Sequence, residues 1–252
     1  MPATVTLELE PAAMTRVSVN APCHAGEVAE LAYEGLRFAL PLDAQGAGSL
    51  AVPGFRGASE AMLGLGGREA REFTIPFREI ERIDRVAVVW ETPDAAEAPG
   101  APALHAFEFG ARPGTPGHVS PAEPRSFETV RRTGGGWLAA YEPAHGKGRR
   151  IEVYSFWRRF GGPSGVVRLG LDPAAGAGDC AGAAAGAADY RVLRMTGGRL
   201  ERPRLGRIAP RDCTVLAGAG GPEGARDPGR SAGRSSGRFI DAAVDDLVVR
   251  RR

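Results

Sequence analysis

Hydrophobic and polar residues alternate along much of the chain. Near the N-terminus, Val5, Leu7 and Leu9 are separated by threonine and glutamate, which is the two-residue period of a strand with one buried face. The same period recurs at positions 73–77, whereas Val86 to Trp90 is apolar at every position. A fully apolar run of this length predicts a central strand that is buried on both sides.

A second alternating segment runs from Leu36 to Leu42 and resumes at Leu50. Between these two runs, Asp43 and Gly46 occupy the first and fourth positions favoured in a type I turn. The pattern therefore predicts a hairpin, in which Pro41 is tolerated only on an edge strand.

The C-terminal half contains further short strand-like runs. They are Leu104–Phe109, Trp137–Tyr141, Ile151–Trp157, Val166–Leu171 and Tyr190–Met195. Short strands at this spacing are typical of antiparallel sandwiches. We therefore expect an all-β fold made of two antiparallel β-sandwich-like domains.

The proline- and alanine-rich stretch ETPDAAEAPGAP has no apolar period, which indicates a linker between domains. Residues 217–238 are rich in glycine, serine and arginine, and the apolar spacing after them suits either a short helix or a strand. The predicted divisions are an immunoglobulin-like β-sandwich at 1–92, a linker at 93–102, a second β-rich domain at 103–216, a flexible segment at 217–238 and a C-terminal helix or strand at 239–252.

The composition excludes several classes of function. The 32 basic and 30 acidic residues leave a net charge of +2, which provides no overall field for holding a nucleic acid. No apolar run is long enough for a transmembrane helix, and the start at Met1 lacks the pattern of an export signal. As written, the sequence predicts a cytoplasmic protein, or an extracytoplasmic one if a leader precedes Met1.

The sequence lacks the residue order and spacing that a nucleophile elbow and a metal-binding motif require. Gly178, Cys180 and Gly182 imitate a nucleophile elbow, but the histidine base of that fold follows its nucleophile, and the last histidine here is His145. The four histidines are too scattered for a metal motif. We therefore predict no catalytic residue, no metal and no cofactor, and keep His118, in a glycine-flanked loop, as a candidate ligand-binding residue.

Two groups of side chains leave functional alternatives open. Glu108 and Glu152 lie on predicted strands and could form the carboxylate pair of a hydrolase, together with His118. Trp137, Tyr154 and Trp157 could instead form an aromatic platform for sugar rings, although aromatic residues on strands more often belong to a core. Arginine doublets at 131–132, 149–150 and 158–159 could bind an acidic polymer or simply be solvated strand ends.

Several short motifs resemble a group of uncharacterised bacterial proteins, some of whose members are labelled translocases. The motifs are APCHAGE at 21–27, LHAFE at 104–108, PGHVS at 116–120 and EVYSF at 152–156. The resemblance implies a β-rich, envelope-associated protein in which Cys180 and Cys213 could form a disulfide. Similar proteins often carry a further cysteine near the N-terminus, which this chain lacks.

Together these observations predict a non-enzymatic interaction or structural module with an unknown protein or glycan partner. A glycan-binding module that uses the aromatic strand residues is the first alternative. A hydrolase is the second.

Overall fold

The computed structural model describes residues 3–67, 69–91, 103–142, 149–172, 188–208 and 244–249. Within these ranges the chain forms seventeen strands, one α-helix, and two 3-10 turns at Pro22–His24 and Ile80–Arg82. All strand pairings in this part of the chain are antiparallel. The prediction of an all-β fold is confirmed.

Two sheets are built from the first eighty residues. Sheet A has the order β1 (Thr4–Glu10), β2 (Met14–Asn20) and β5 (Ala47–Pro53). Sheet B has the order β4 (Leu36–Pro41), β3 (Val28–Tyr33), β6 (Ala58–Leu65) and β7 (Glu69–Pro76).

The other two sheets contain the later strands. Sheet C has the order β11 (Gly136–Tyr141), β12 (Arg149–Trp157), β8 (Ile83–Glu91), β14 (Ala188–Thr196) and β15 (Arg199–Leu200), and β16 (Arg204–Ile208) also pairs with β14. Sheet D has the order β10 (His118–Val119), β9 (Ala103–Glu108), β13 (Gly165–Asp172) and β17 (Leu247–Val249). Helix α1 (Phe127–Thr133) precedes β11.

Sheet C contributes to two hydrophobic cores. Its residues Ala87, Val89 and Val153 pack with the inner faces of sheets A and B in the first core. Its residues Val88 and Tyr154 pack with sheet D in the second core. Neighbouring residues of β8 thus enter different cores, which explains why this segment is apolar throughout.

The central position predicted for Val86–Trp90 is confirmed, because β8 pairs with both β12 and β14. Strand β8 precedes the predicted linker and both of its partners follow it, so hydrogen bonds of sheet C connect the two predicted domains. Residues 92–102 lie outside the described part of the chain. The domain boundaries and the sandwich arrangement stay predictions.

The predicted hairpin between Leu36–Leu42 and Leu50–Val52 is wrong in its pairing. The turn forms, since Asp43 Oδ1 accepts hydrogen bonds from the backbone N–H groups of Gln45 and Ala47. However, β4 pairs with β3 in sheet B and β5 pairs with β2 in sheet A. Both strands still contribute alternate residues to the first core. The alternating pattern is therefore explained although the two strands do not pair with each other.

The C-terminal segment, for which either a helix or a strand was predicted, forms strand β17 at Leu247–Val249 and pairs with β13. The rest of that predicted segment is outside the described residues apart from Val244 to Asp246. Residues 217–238, predicted to be a flexible segment, also lie outside the described part of the chain.

Arg85 is a fully buried cation that connects sheet C to sheet A. Its guanidinium donates to the carbonyl oxygens of Ala12 at 2.7 Å, Ala13 at 3.0 Å and Gly54 at 2.6 Å, and its Nε donates to Ser155 Oγ at 2.8 Å. Burial lowers the pKa of Arg85 to about 10, so it remains charged at neutral pH.

The β1–β2 turn that receives these hydrogen bonds has an unusual backbone. Ala12 and Ala13 have φ angles of 61° and 53°, in the left-handed region that non-glycine residues rarely occupy. Two of the three carbonyls bound by Arg85 belong to these residues, so the buried cation stabilises the strained turn.

Candidate functional site

Helix α1 is short, and its two ends are fixed by its sequence. The side chain of Ser126 caps the N-terminus by accepting a hydrogen bond from Thr129 N at 3.2 Å. Gly134, with a φ of 81°, ends the helix, and its N–H donates to Val130 O at 2.7 Å. This arrangement buries Val130 in the first core and leaves the arginines of the last turn on the surface.

Three aromatic rings meet between α1 and the ends of β11 and β12. Phe127 lies 5.3 Å from the ring of Trp137 and 5.2 Å from the ring of Trp157, tilted by 58° and 59°. Trp137 is only 7% exposed, whereas Phe127 and Trp157 are partly exposed. Arg82 completes the group, with its guanidinium carbon 5.6 Å above Trp157.

The turn after β12 places more arginines beside these rings. Arg158 donates to Glu81 O at 2.7 Å and lies 3.7 Å from the buried carboxylate of Asp84, so it is held against the body of sheet C. Arg159 is exposed and donates to Arg132 O at 3.4 Å, which joins this turn to the end of α1.

Phe160 follows these arginines and is 91% exposed. It is the most exposed large hydrophobic residue in the described part of the chain. We call the set Arg82, Phe127, Arg132, Trp157, Arg159 and Phe160 the aromatic–arginine surface.

The charge of this surface is only partly neutralised. Arg82 pairs with Glu79 at 2.9 Å, and the neighbouring Arg131 pairs with Glu128 at 3.1 Å. Within the described ranges, neither Arg132 nor Arg159 forms a salt bridge with a carboxylate. Two guanidinium groups beside exposed aromatic rings are therefore able to bind an anionic group without first breaking an ion pair.

The predicted aromatic platform is only partly assembled. Trp137 and Trp157 lie on the face of sheet C that packs in the first core, and both contact Phe127. Tyr154 lies on the opposite face of β12, fully buried in the second core. The structure therefore brings two of the three predicted residues together and separates the third from them.

Tyr154 belongs instead to a buried network around Glu108. Glu108 Oε1 accepts hydrogen bonds from Tyr154 Oη at 2.8 Å and Gly136 N at 2.6 Å, while Oε2 pairs with Arg125 at 2.8 Å. Burial raises the pKa of Tyr154 well above its ordinary value, and the adjacent Glu108 carboxylate raises it further. The network fixes β9 against β11 and β12.

Glu152 is also buried between sheets C and D. Its Oε2 accepts hydrogen bonds from Leu104 N at 2.7 Å and Trp90 Nε1 at 3.1 Å, and its Oε1 lies 2.9 Å from an Arg150 guanidinium nitrogen. Burial raises the pKa of Glu152, and the charge of Arg150 opposes that shift. Glu152 thus connects β12 to β9 in the same interior as Glu108.

His118 lies on the other side of sheet D from these carboxylates. Its ring stacks on Phe107 at 4.8 Å, and its Nε2 is 2.9 Å from Nδ1 of His105. Because His118 Nδ1 accepts from Gly114 N at 3.1 Å, the proton of the neutral ring lies on Nε2, which donates to His105. The structure does not bring His118 together with Glu108 and Glu152.

The surroundings of the histidine pair disfavour the charged form of both rings. Burial lowers the pKa of His105 to about 4, and the neighbouring His118 lowers it further. Burial also lowers the pKa of His118. A depression of about 450 Å³ lies beside His118 and is bounded by Gly114–Gly117 and Glu123–Arg125.

The remaining predicted site concerns the cysteines. Cys180 and Cys213 lie outside the described residues, so their disulfide stays a prediction. Cys23 lies in the 3-10 turn at Pro22–His24 and is exposed.

Sequence reasoning missed Phe127, Phe160 and Arg82 as parts of a surface. One available signal was Phe160 itself, a large apolar side chain in the turn sequence RRFGGPSG, where no alternating pattern gives it a core position. The doublets at 131–132 and 158–159 were identified, but their proximity depends on how α1 packs against β12.

The comparisons give no relative from which a function could be carried over. No family model matches the chain, and the search of curated proteins finds no match. Among the described residues, no helix is long and apolar enough to cross a membrane. Those residues also contain no group of three or more histidine, cysteine, aspartate or glutamate side chains placed to hold a metal ion.

Proposed function

We propose that the protein is a non-enzymatic interaction module that binds an acidic glycan through its aromatic–arginine surface. The observation that carries this proposal is the 91% exposure of Phe160 beside Arg159, which itself contacts the end of α1. An exposed aromatic side chain that follows an exposed arginine can pack on the apolar ring plane of an acidic sugar while the guanidinium group binds the carboxylate of that sugar.

The arginines supply the polar part of this recognition. Arg132 lies in the last turn of α1 and Arg159 in the turn after β12, and Arg159 Nη1 lies 3.4 Å from the backbone carbonyl oxygen of Arg132. A guanidinium group can donate two parallel hydrogen bonds to one carboxylate, which gives geometric selectivity as well as attraction. Because both groups are exposed, their contribution should weaken as salt is added.

The aromatic rings supply the apolar part. Phe127 and Trp157 are partly exposed and pack against each other, and Phe127 also packs on Trp137, so little conformational entropy would be lost when a sugar ring packs on them. Phe160 offers a further ring on the adjacent turn.

The buried titratable groups favour a module over an enzyme. Arg85, Glu108 and Glu152 each use their polar atoms in contacts between strands of different sheets. Groups engaged in this way stabilise the fold, and their removal should affect stability before it affects any binding.

The test compares an acidic with a neutral polysaccharide. Polygalacturonate should bind and change the tryptophan emission, while dextran should bind far more weakly. Arg159→Ala and Phe160→Ala should each weaken polygalacturonate binding by about tenfold, which corresponds to about 1.4 kcal/mol. Arg202→Ala and Leu205→Ala are matched controls, because both side chains are exposed, Leu205 on β16 and Arg202 in the segment just before it, away from β11 and β12.

The measurement is isothermal titration calorimetry at low and at moderate salt. Equal affinity for dextran, or polygalacturonate binding that neither surface variant weakens, would contradict the proposal. So would the absence of any binding at low salt.

A further inference from the structure

Strand β1 is an edge strand with features that natural edges usually avoid. It pairs with β2 along all seven of its residues, and within the described ranges no strand pairs with its other side. Its sequence, TVTLELE, contains no proline or lysine, and its register with β2 is continuous, without a bulge. Proline, charged side chains such as lysine, and bulges normally prevent an edge from pairing with another strand, and of these β1 has only the carboxylates Glu8 and Glu10.

The apolar face of β1 is incompletely covered. Leu7 is 37% exposed, and Val5 and Leu9 are partly exposed, whereas Val17 and Val19 on the adjacent strand are buried in the first core. A further strand placed beside β1 would continue sheet A and cover these three side chains.

The sequence of β1 is complementary to itself in one antiparallel register. If a second β1 pairs around Leu7, Leu7 lies opposite its own copy and Val5 lies opposite Leu9. Thr4 then faces Glu10, and Thr6 faces Glu8. Every apolar residue meets an apolar residue, and every carboxylate meets a hydroxyl group.

Neighbouring registers lack this complementarity. A shift by one residue places apolar side chains opposite polar ones. A shift by two residues in one direction brings Glu8 opposite its own copy, where like charges repel, and in the other direction it leaves Leu9 and Glu10 unpaired. The register centred on Leu7 pairs all seven residues without a like-charge contact.

We propose that two copies of this chain associate through β1, in an antiparallel pairing centred on Leu7 that joins two copies of sheet A into one continuous sheet. The two-fold symmetry places the same strand in both halves of the interface, as in most soluble homodimers. This surface is separate from the aromatic–arginine surface, so the inference does not depend on glycan binding.

Sedimentation equilibrium tests the association itself. The full chain should sediment at twice its 26.4 kDa mass. Leu7→Lys, which places a charge at the centre of the interface, should give the monomer mass while the chain still unfolds cooperatively, with a midpoint that no longer rises with protein concentration. Met62→Lys is the matched control, because Met62 is 45% exposed on sheet B, and it should leave the dimer intact.

Cysteine cross-linking tests the register. Leu7→Cys should form an intermolecular disulfide with its own copy under mild oxidation, identified by peptide mass. Thr4→Cys alone should form none, because the two copies of residue 4 would lie about 20 Å apart, at about 3.3 Å per residue. A mixture of Thr4→Cys and Glu10→Cys chains should cross-link between residues 4 and 10.

A monomeric wild-type chain would overturn the proposal, and so would a dimer that survives Leu7→Lys. Self-cross-linking of Thr4→Cys with none for Leu7→Cys would also overturn it, since it requires a different register.

Discussion

Arg85 Nη2 donates a 2.7 Å hydrogen bond to the carbonyl oxygen of Ala12, 73 residues earlier in the chain. The same guanidinium also binds the carbonyls of Ala13 and Gly54, so one side chain of sheet C satisfies three backbone acceptors of the N-terminal region. No carboxylate is among its hydrogen-bond partners, which makes this a charge held by backbone and hydroxyl groups.

Replacing Arg85 should destabilise the protein strongly. Arg85→Met retains the apolar stem but removes the side-chain donor from the buried carbonyl oxygens of Ala12 and Gly54, while Ala13 O keeps its hydrogen bond from Gly54 N. Each buried acceptor that loses its donor costs about 1 to 3 kcal/mol. We expect the free energy of unfolding in urea to fall by about 3 kcal/mol or more. Arg37→Met is the control, because the side chain of Arg37 is 57% exposed, and it should change stability by less than about 0.5 kcal/mol. Equal losses for the two variants would refute this role of Arg85.

Tyr154 should affect stability and leave glycan binding unchanged. Tyr154→Phe removes the donor to the buried Glu108 Oε1 and should lower the free energy of unfolding by about 1 to 2 kcal/mol. Since Tyr154 lies on the opposite face of β12 from Trp157, the affinity of the folded variant for polygalacturonate should equal that of the wild type. A calorimetric titration checks this, and a clear loss of affinity would place Tyr154 at the binding surface after all.

The histidine pair should make stability depend on pH. The pKa of His105 is lowered to about 4 in the folded state, below its ordinary value of 6.5. Between these two values the unfolded chain binds a proton that the folded chain does not, so acidification from about pH 6.5 to pH 4 favours unfolding.

His105→Gln should remove much of this dependence. The free energy of unfolding is measured by urea titration of both proteins at several pH values. As the pH falls, the wild type should lose more of this free energy than the variant does. Titrating groups outside the histidine pair are common to both proteins and cancel in the difference, whereas the contribution of His118, the partner of His105, is part of what the comparison measures. Parallel pH profiles would show that His105 does not carry the effect.

The turn between β3 and β4 gives a prediction about backbone conformation. Glu34 and Gly35 have φ angles of 48° and 72°, the pattern of a type I′ turn, so an alanine at position 35 would be forced into the left-handed region that L residues rarely adopt. Gly35→Ala should therefore lower the thermal midpoint and reduce stability by about 1 kcal/mol or more. Gly57→Ala is the control, since no atom lies within 4 Å of its added Cβ. Its midpoint should stay close to that of the wild type.

Alternation identified strands well because it reports which face of a strand is buried. It predicted β1 and the five later runs, and the wholly apolar run of β8 correctly indicated a strand with a core on each side. It could not assign partners. The segment YEGL between β3 and β4 contained the glycine that a two-residue hairpin turn requires, and this signal would have paired β4 with β3.

The candidate surface was harder to predict, because it depends on which face of a strand each residue occupies and on contacts between residues far apart in the sequence. Tyr154 and Trp157 are three positions apart on one strand, so their opposite orientation followed from the period of two. The approach of Phe127 to Trp157 depends on tertiary packing between residues 30 positions apart, which no local pattern encodes.

The left-handed backbone of Ala12 and Ala13 has a consequence for synthesis on the ribosome. The N-terminal hairpin emerges early, but the side chain that donates to the carbonyl oxygens of Ala12 and Ala13 is added only when translation reaches residue 85. Until then the turn lacks the hydrogen bonds from Arg85 that offset its conformational cost. The first hairpin of the polypeptide is thus completed by a segment that the ribosome makes later.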